Sequence, residues 1–180
     1  MDPPGAIPNR SRSIHFERHA SSIWRSRRPR RVIFSGEFDH RIDSQGRVAV
    51  PARFRAAFAD GIVLSRGYDP CIVAYSPDEW QRLASEITSQ PTTQANARRL
   101  ARLTFAGAYP AELDRQGRVV VPGSLRAYAG ISGAAVVVGV GRSVEIWSAE
   151  RWAQEQLELS EQAVNIAEQA ALGSAGQERQ

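Results

Sequence analysis

From residue 32 onward the chain consists of short apolar runs separated by turn-forming clusters, and the order of the runs occurs twice. In Arg47-Val48-Ala49-Val50 the valines alternate with other residues. A strand here puts Val48 and Val50 on one face and Arg47 and Ala49 on the other. Val119 and Val121 oppose Arg118 and Val120 in the same way. Ile62-Val63-Leu64 and Cys71-Ile72-Val73-Ala74-Tyr75 form a second pair of strand patterns. They are echoed by Ala135-Val136-Val137-Val138 and Ser143-Val144-Glu145-Ile146-Trp147, with an offset that slips by one between blocks. Ser76-Pro77-Asp78-Glu79 has the Ser-x-x-Glu form of a capping box with proline at the first helical position, which predicts a helix start. Ser148 and Glu150 mark a second start less completely. Pro91 ends the first of these helices, and Thr92 to Phe105 reads as another, whose Arg98, Arg99 and Arg102 make a solvated basic face ahead of the alternative, a phosphate contact. From Ser148 to about Leu172, apolar residues at Trp152, Leu157, Leu159, Val164, Ile166 and Ala170 stand amid Glu and Gln. That pattern fits one long helix or two short ones, packed on the sheet or on a neighbouring subunit, with fraying expected from Gly173 onward.

The repeat is sharpest in one phrase. Asp43-Ser44-Gln45-Gly46-Arg47-Val48-Ala49-Val50-Pro51, followed by Phe54 and Arg55, returns as Asp114-Arg115-Gln116-Gly117-Arg118-Val119-Val120-Val121-Pro122, followed by Leu125 and Arg126. Aspartate suits the first position of a type I turn, where its carboxylate accepts a backbone N–H two residues on. Glycine suits the fourth, because positive φ costs it nothing. Each copy therefore predicts a tight hairpin, with Asp43, Gly46, Asp114 and Gly117 shaping the turns. Arg47 and Arg118 are expected to leave the sheet on its solvent face. The prolines end the strand and suit the start of a short helix that places an apolar anchor beside a basic group. A lone arginine after a turn is ordinarily just solvated. Two at equivalent places in a repeat suit a repetitive polyanion better than single-site catalysis.

Charge and composition narrow the classes. Residues 1–31 hold eight arginines against Asp2 and Glu17, a net of +6, while the remaining 15 basic and 17 acidic residues give −2. The body is thus nearly neutral, so nucleic-acid affinity there must come from a local arrangement of arginines and not from bulk charge. Every basic residue is arginine, a bias that a GC-rich genome explains before bidentate recognition does. The first 31 residues have no apolar periodicity and several prolines and serines, and are expected to be disordered. An Arg- and Ser-rich, acid-poor leader also resembles a transit peptide, but it has no amphipathic stretch. Alternatively, translation begins near Val32.

Enzyme chemistry finds little to work with. His40 is the one histidine of the body and Cys71 the one cysteine of the chain. Together they make neither a metal site nor a nucleophile–base pair. A single cysteine also excludes an internal disulfide framework and leaves a reducing compartment as the default. Gly139-Val140-Gly141 lacks the third glycine and following helix of a dinucleotide loop, and reads as a hairpin turn. No catalytic residue, metal or cofactor is expected, and no small-molecule substrate.

At the duplicated motif the chain resembles the MraZ family of transcriptional regulators, which carries two Asp-x-x-Gly-Arg motifs, each followed by aliphatics, proline and arginine. Phe34-Ser35-Gly36-Glu37-Phe38 is similar to the usual family opening. The resemblance covers about residues 32–152. It implies an α+β fold, a duplicated AbrB-like swapped-hairpin β-barrel with flanking helices, in which the two halves of one chain make a pseudo-dimer. The expected organisation is a tail at 1–31, a first half at 32–90, a connecting helix at 91–105, a second half at 106–152 and a C-terminal helix with a frayed end at 153–180. The resemblance further implies a cytoplasmic, nucleoid-associated protein without membrane contact. It would assemble with itself into a ring and bind double-stranded DNA at direct repeats upstream of the bacterial division and cell-wall gene cluster.

A two-stranded ribbon fits the major groove, where arginine can reach guanine O6 and N7. On that ground Arg47 and Arg118 are assigned to DNA contact, with Arg41, Arg53, Arg55, Arg115 and Arg126 as candidates for phosphates. The rival reading is a protein-interaction ring scaffold without specific DNA reading.

Overall fold

Alternation of buried valines with outward residues builds the centre of the molecule. The structure, a computed structural model, describes residues 32–177. The first half runs β1 (Phe34–Arg41), β2 (Arg47–Ala49), α1 (Ala52–Arg55), β3 (Ile62–Arg66), β4 (Ile72–Tyr75) and α2 (Pro77–Thr88). After α3 (Ala95–Phe105) the same order returns as β5 (Tyr109–Ala111), β6 (Arg118–Val120), α4 (Gly123–Ala129), β7 (Ala134–Gly141), β8 (Val144–Ser148) and α5 (Ala149–Gln177). All pairings are antiparallel. The fold is therefore α+β.

The sheet order shows how the halves interlock. One sheet runs β1-β7-β8-β4-β3-β5 and a second pairs β2 with β6. β1 of the first half lies along β7 of the second, while β5 of the second lies along β3 of the first. The halves thus exchange their first strands. A pseudo-twofold relation passes through Val48↔Val119 in the small sheet and Val73↔Glu145 in the large one. This corrects the expectation of two simple hairpins. The turn at 43–47 is tight, but its flanking strands do not ladder with each other, because β1 is taken by β7 and β2 by β6.

The exchange gives one core shared by both halves. Val48, Val50, Phe54, Leu64 and Ile72 meet Val119, Val121, Leu125, Val137 and Ile146 there. Val48, Val119 and Leu125 are wholly inaccessible to solvent, and burial of each such side chain contributes roughly 1.5–3 kcal/mol. Phe34 joins β1 to α1 by an edge-to-face contact with Phe54 and stacks on Phe58.

The helices close the outer face. Ser76 Oγ accepts from the Glu79 amide with Pro77 leading α2, as the capping box predicts. Trp80 of α2 packs between Tyr75 and Phe105. In the second half Trp147 and Trp152 cover Val136 and Val138. Trp152 Nε1 and Gln156 Nε2 both donate to Glu37 Oε2, at 2.9 and 2.8 Å, tying α5 to β1. Past this anchor Leu157, Leu159, Val164 and Ile166 are exposed on α5.

Three boundaries differ from expectation. α5 is a single helix that continues through Gly173 to Gln177. Ala-rich flanks without proline sustain it, although each glycine costs about 1 kcal/mol there. Its start at Ala149 places the expected 152/153 boundary inside a helix. The connecting helix begins at Ala95, not at 91. Residues 1–31, and the expectations for them, lie outside the described residues.

Candidate nucleic-acid interface

The two motif turns are built alike, down to the division of labour within each carboxylate. Asp43 Oδ1 accepts from the amides of Gln45 and Arg47, both at 2.9 Å, while Asp43 Oδ2 accepts from Arg47 Nε at 2.8 Å. Asp114 Oδ1 accepts from Gln116 and Arg118 at 2.9 Å, and its Oδ2 from Arg118 Nε at 2.8 Å. One oxygen holds the backbone turn and the other holds the arginine. The turn closes through Gly46 N donating to Asp43 O at 2.9 Å, and Gly117 N to Asp114 O at 2.8 Å. Gly46 and Gly117 stand at φ +77° and +75°, where an L side chain is penalised.

Pairing of β2 with β6 sets these turns side by side. Val50 N donates to Gly117 O and Val121 N donates to Gly46 O, so each glycine carbonyl is bound by the other half. Arg118 Nη1 lies 3.8 Å from Asp43 Oδ2, across the boundary between turns. The outward face of this ribbon carries Arg47 opposite Val120 and Ala49 opposite Arg118. Val120 is 56% exposed.

The arginines separate into three groups. Arg47 and Arg118 leave the ribbon on its outward face as expected, but they do not stand free there. Each side chain keeps only 26% of its exposure and is folded back onto its own aspartate, because the carboxylate that shapes the turn lies within hydrogen-bond reach of Nε. Arg41, Arg53 and Arg115 are exposed, Arg41 at the end of β1 opposite Ala134 and the Arg53 guanidinium 5.8 Å from the Phe54 ring. Arg55 and Arg126 are half-buried, donating Nε to Val50 O at 2.9 Å and to Val121 O at 3.2 Å. These last two look inward.

The electrostatics follow. The Arg118 side chain, then its amide, holds the Asp114 carboxyl down to about 2. Asp43 is lowered chiefly by the Arg47 amide. Both carboxylates stay ionised at neutral pH and neutralise their own arginines, so the ribbon offers aimed donors and little net charge. His40 is lowered by burial and then by the Arg55 charge, with Asp39 opposing, and its Nε2 is buried without a partner. Sequence reasoning missed this meeting of His40 and Arg55, since nothing in spacing links β1 to α1. Among the described residues no group of three or more His, Cys, Asp or Glu could hold a metal ion, and no helix is long and apolar enough to cross a membrane.

Comparison with known proteins agrees with the internal duplication. A family model described as "MraZ protein, putative antitoxin-like" matches twice, at residues 33–103 and 104–173. A protein of Herpetosiphon aurantiacus named transcriptional regulator MraZ is 47% identical over 136 residues, covering 76% of this chain and 95% of that protein. One of Thermomicrobium roseum with the same name is 47% identical over 139 residues, covering 77% and 98%. Another, of Natranaerobius thermophilus, is 44% identical over 137 residues, covering 76% and 96%. Neither the family model nor these names indicates an enzyme. With two family matches laid over two interlocked copies of one Asp–Arg turn, the chain belongs to the MraZ family.

Proposed function

We propose that this protein is a sequence-specific DNA-binding regulator of transcription that reads direct repeats in its own promoter through the paired turns. The observation that carries this reading is the side-by-side pair of Asp–Arg turns on a two-stranded antiparallel ribbon. Such a ribbon enters the major groove, and an arginine there can donate two hydrogen bonds to guanine O6 and N7. Holding each guanidinium on a carboxylate before binding removes part of the side-chain ordering cost, about 0.5–1.5 kcal/mol per residue. Arg47 and Arg118 are the base-reading residues, and exposed Arg41, Arg53 and Arg115 meet phosphates. The strand exchange between halves supports an AbrB-like swapped-hairpin barrel with the chain as its own pseudo-dimer.

One ribbon reads little sequence. Several ribbons on a ring of identical chains, set against regularly spaced boxes, raise effective concentration and multiply affinity on the order of a hundredfold or more. The exposed Leu157 and Val164 of α5 offer apolar surface for contact between copies. The same surface favours the second reading, a ring scaffold that binds proteins and does not read DNA. Footprinting on the protein's own upstream region tests the choice. Protection at regularly spaced repeats is expected, and no protection, or protection without sequence preference, would favour the scaffold.

A further inference from the structure

Arg55 and Arg126 were natural candidates for phosphate contact, being basic residues just after each motif strand. Their geometry points elsewhere. Arg55 follows Phe54, which is 2% exposed and anchored in the core, and Arg126 follows the wholly buried Leu125. Both backbones are therefore fixed by packing, and both side chains reach back five residues to a strand carbonyl, Val50 O or Val121 O.

What lies under each guanidinium is the glycine of the other half. A Cβ on Gly117 would overlap Arg55, 2.6 Å from its Cδ, and a Cβ on Gly46 would stand 3.2 Å from Arg126 Cζ. The residues that receive the arginines, Val50 and Val121, are the ones whose amides donate to Gly117 O and Gly46 O. In each half one arginine thus ties a strand carbonyl while that strand's amide ties the neighbouring turn. The loop of contacts closes across the pseudo-twofold relation. Glycine is needed at 46 and 117 for two reasons: positive φ, and room for an arginine from the opposite half.

We propose that Arg55 and Arg126 are positioning residues that clamp each turn to the other half, so that Arg47 and Arg118 are presented to DNA as one rigid pair. The proposal rests on the DNA-reading function above, but the clamp itself is a property of the protein alone and is measured without DNA. Amide hydrogen exchange on the full chain reads it directly. Arg55→Ala is expected to speed exchange at Gly117 and Arg118, in the other half, and Arg126→Ala at Gly46 and Arg47. Faster exchange confined to the mutated half, or none, overturns the clamp.

Binding then separates positioning from phosphate contact. On the footprinted box, Arg55→Ala is expected to lose about tenfold in affinity, part of what a bidentate pair discriminates. Affinity for a scrambled duplex of equal length changes little, and the dependence on salt keeps its slope. Arg55→Lys retains the charge and most of the volume, folds where the alanine variant fails, and is not expected to restore box preference. Equal losses on both duplexes with a slope reduced by about one, or rescue by lysine, would mean that Arg55 contacts phosphate. A parent protein without box preference whose exchange shows the cross-half pattern would refute DNA reading and leave the clamp standing.

Discussion

Replacing Gly46 by valine probes the turn at its most constrained atom. Gly46 sits at φ +77° with Arg126 Cζ 3.2 Å from where a Cβ would be. Sparsely populated backbone regions cost roughly 1–3 kcal/mol for a side-chain-bearing residue, and a β-branched one lies at the upper end. The unfolded chain loses freedom as well, which returns about 0.4–1 kcal/mol. The net expected loss is about 2 kcal/mol. For a domain of this size each kcal/mol shifts Tm by roughly 2–4 °C, so the melt should fall by about 4–8 °C. Thermal unfolding followed by circular dichroism measures this, with promoter binding assayed well below the transition. Because the turn also aims Arg47, binding should weaken even where the variant is fully folded. A Tm within about 1 °C of the parent, together with unchanged promoter affinity, would refute the turn geometry.

Gly123→Ala is the matched opposite. Gly123 opens α4 without positive φ, and its Cβ would meet only Arg126 Nη2 at 3.7 Å, so a gain of about 0.5 kcal/mol and a slightly raised Tm are expected. Asp114 titrates near 2 when folded, against an ordinary 3.8. Its stabilisation is present above about pH 4 and lost as pH falls through 2, and NMR titration of the carboxyl in the parent and in Arg118→Ala checks it, the variant moving back toward the ordinary value. His40 is depressed by burial first and Arg55 second, so the unfolded chain takes up its proton first and stability falls as pH drops below 6.5. Arg55→Ala should raise the His40 titration, read from its ring proton shifts.

The local chemistry was legible because each signal lies within a few residues. Asp43 with Gly46, the alternation around Val48, and Ser76 with Glu79 each dictate a turn, a strand or a cap from nearest neighbours. Partner choice was not legible. Nothing in β1 says that it will pair with β7 and not with β2, since both partners satisfy the same alternation and the choice is made only when the two halves close over one shared core. The roles of Arg55 and Arg126 were hidden for the same reason. Their recurrence was visible, but the glycines they cover belong to the opposite half. Folding back of Arg47 and Arg118 onto Asp43 and Asp114 was half legible. Turn chemistry alone dictates that each aspartate carboxylate accepts a backbone N–H, while the division between Oδ1 for the backbone and Oδ2 for the arginine follows only from the three-dimensional turn.

The central claim is that Arg47 and Arg118 read bases. Its most direct test is a titration of labelled direct-repeat DNA and of a scrambled duplex with the parent, Arg47→Ala and Arg118→Ala chains, each shown to be folded by its melt. Loss of a bidentate arginine–guanine contact is worth roughly 1–3 kcal/mol of discrimination, or about 5- to 150-fold. Each variant should therefore lose preference for the repeat by that factor while its affinity for the scrambled duplex changes far less. Undiminished preference in both folded variants would contradict the assignment of these turns to DNA.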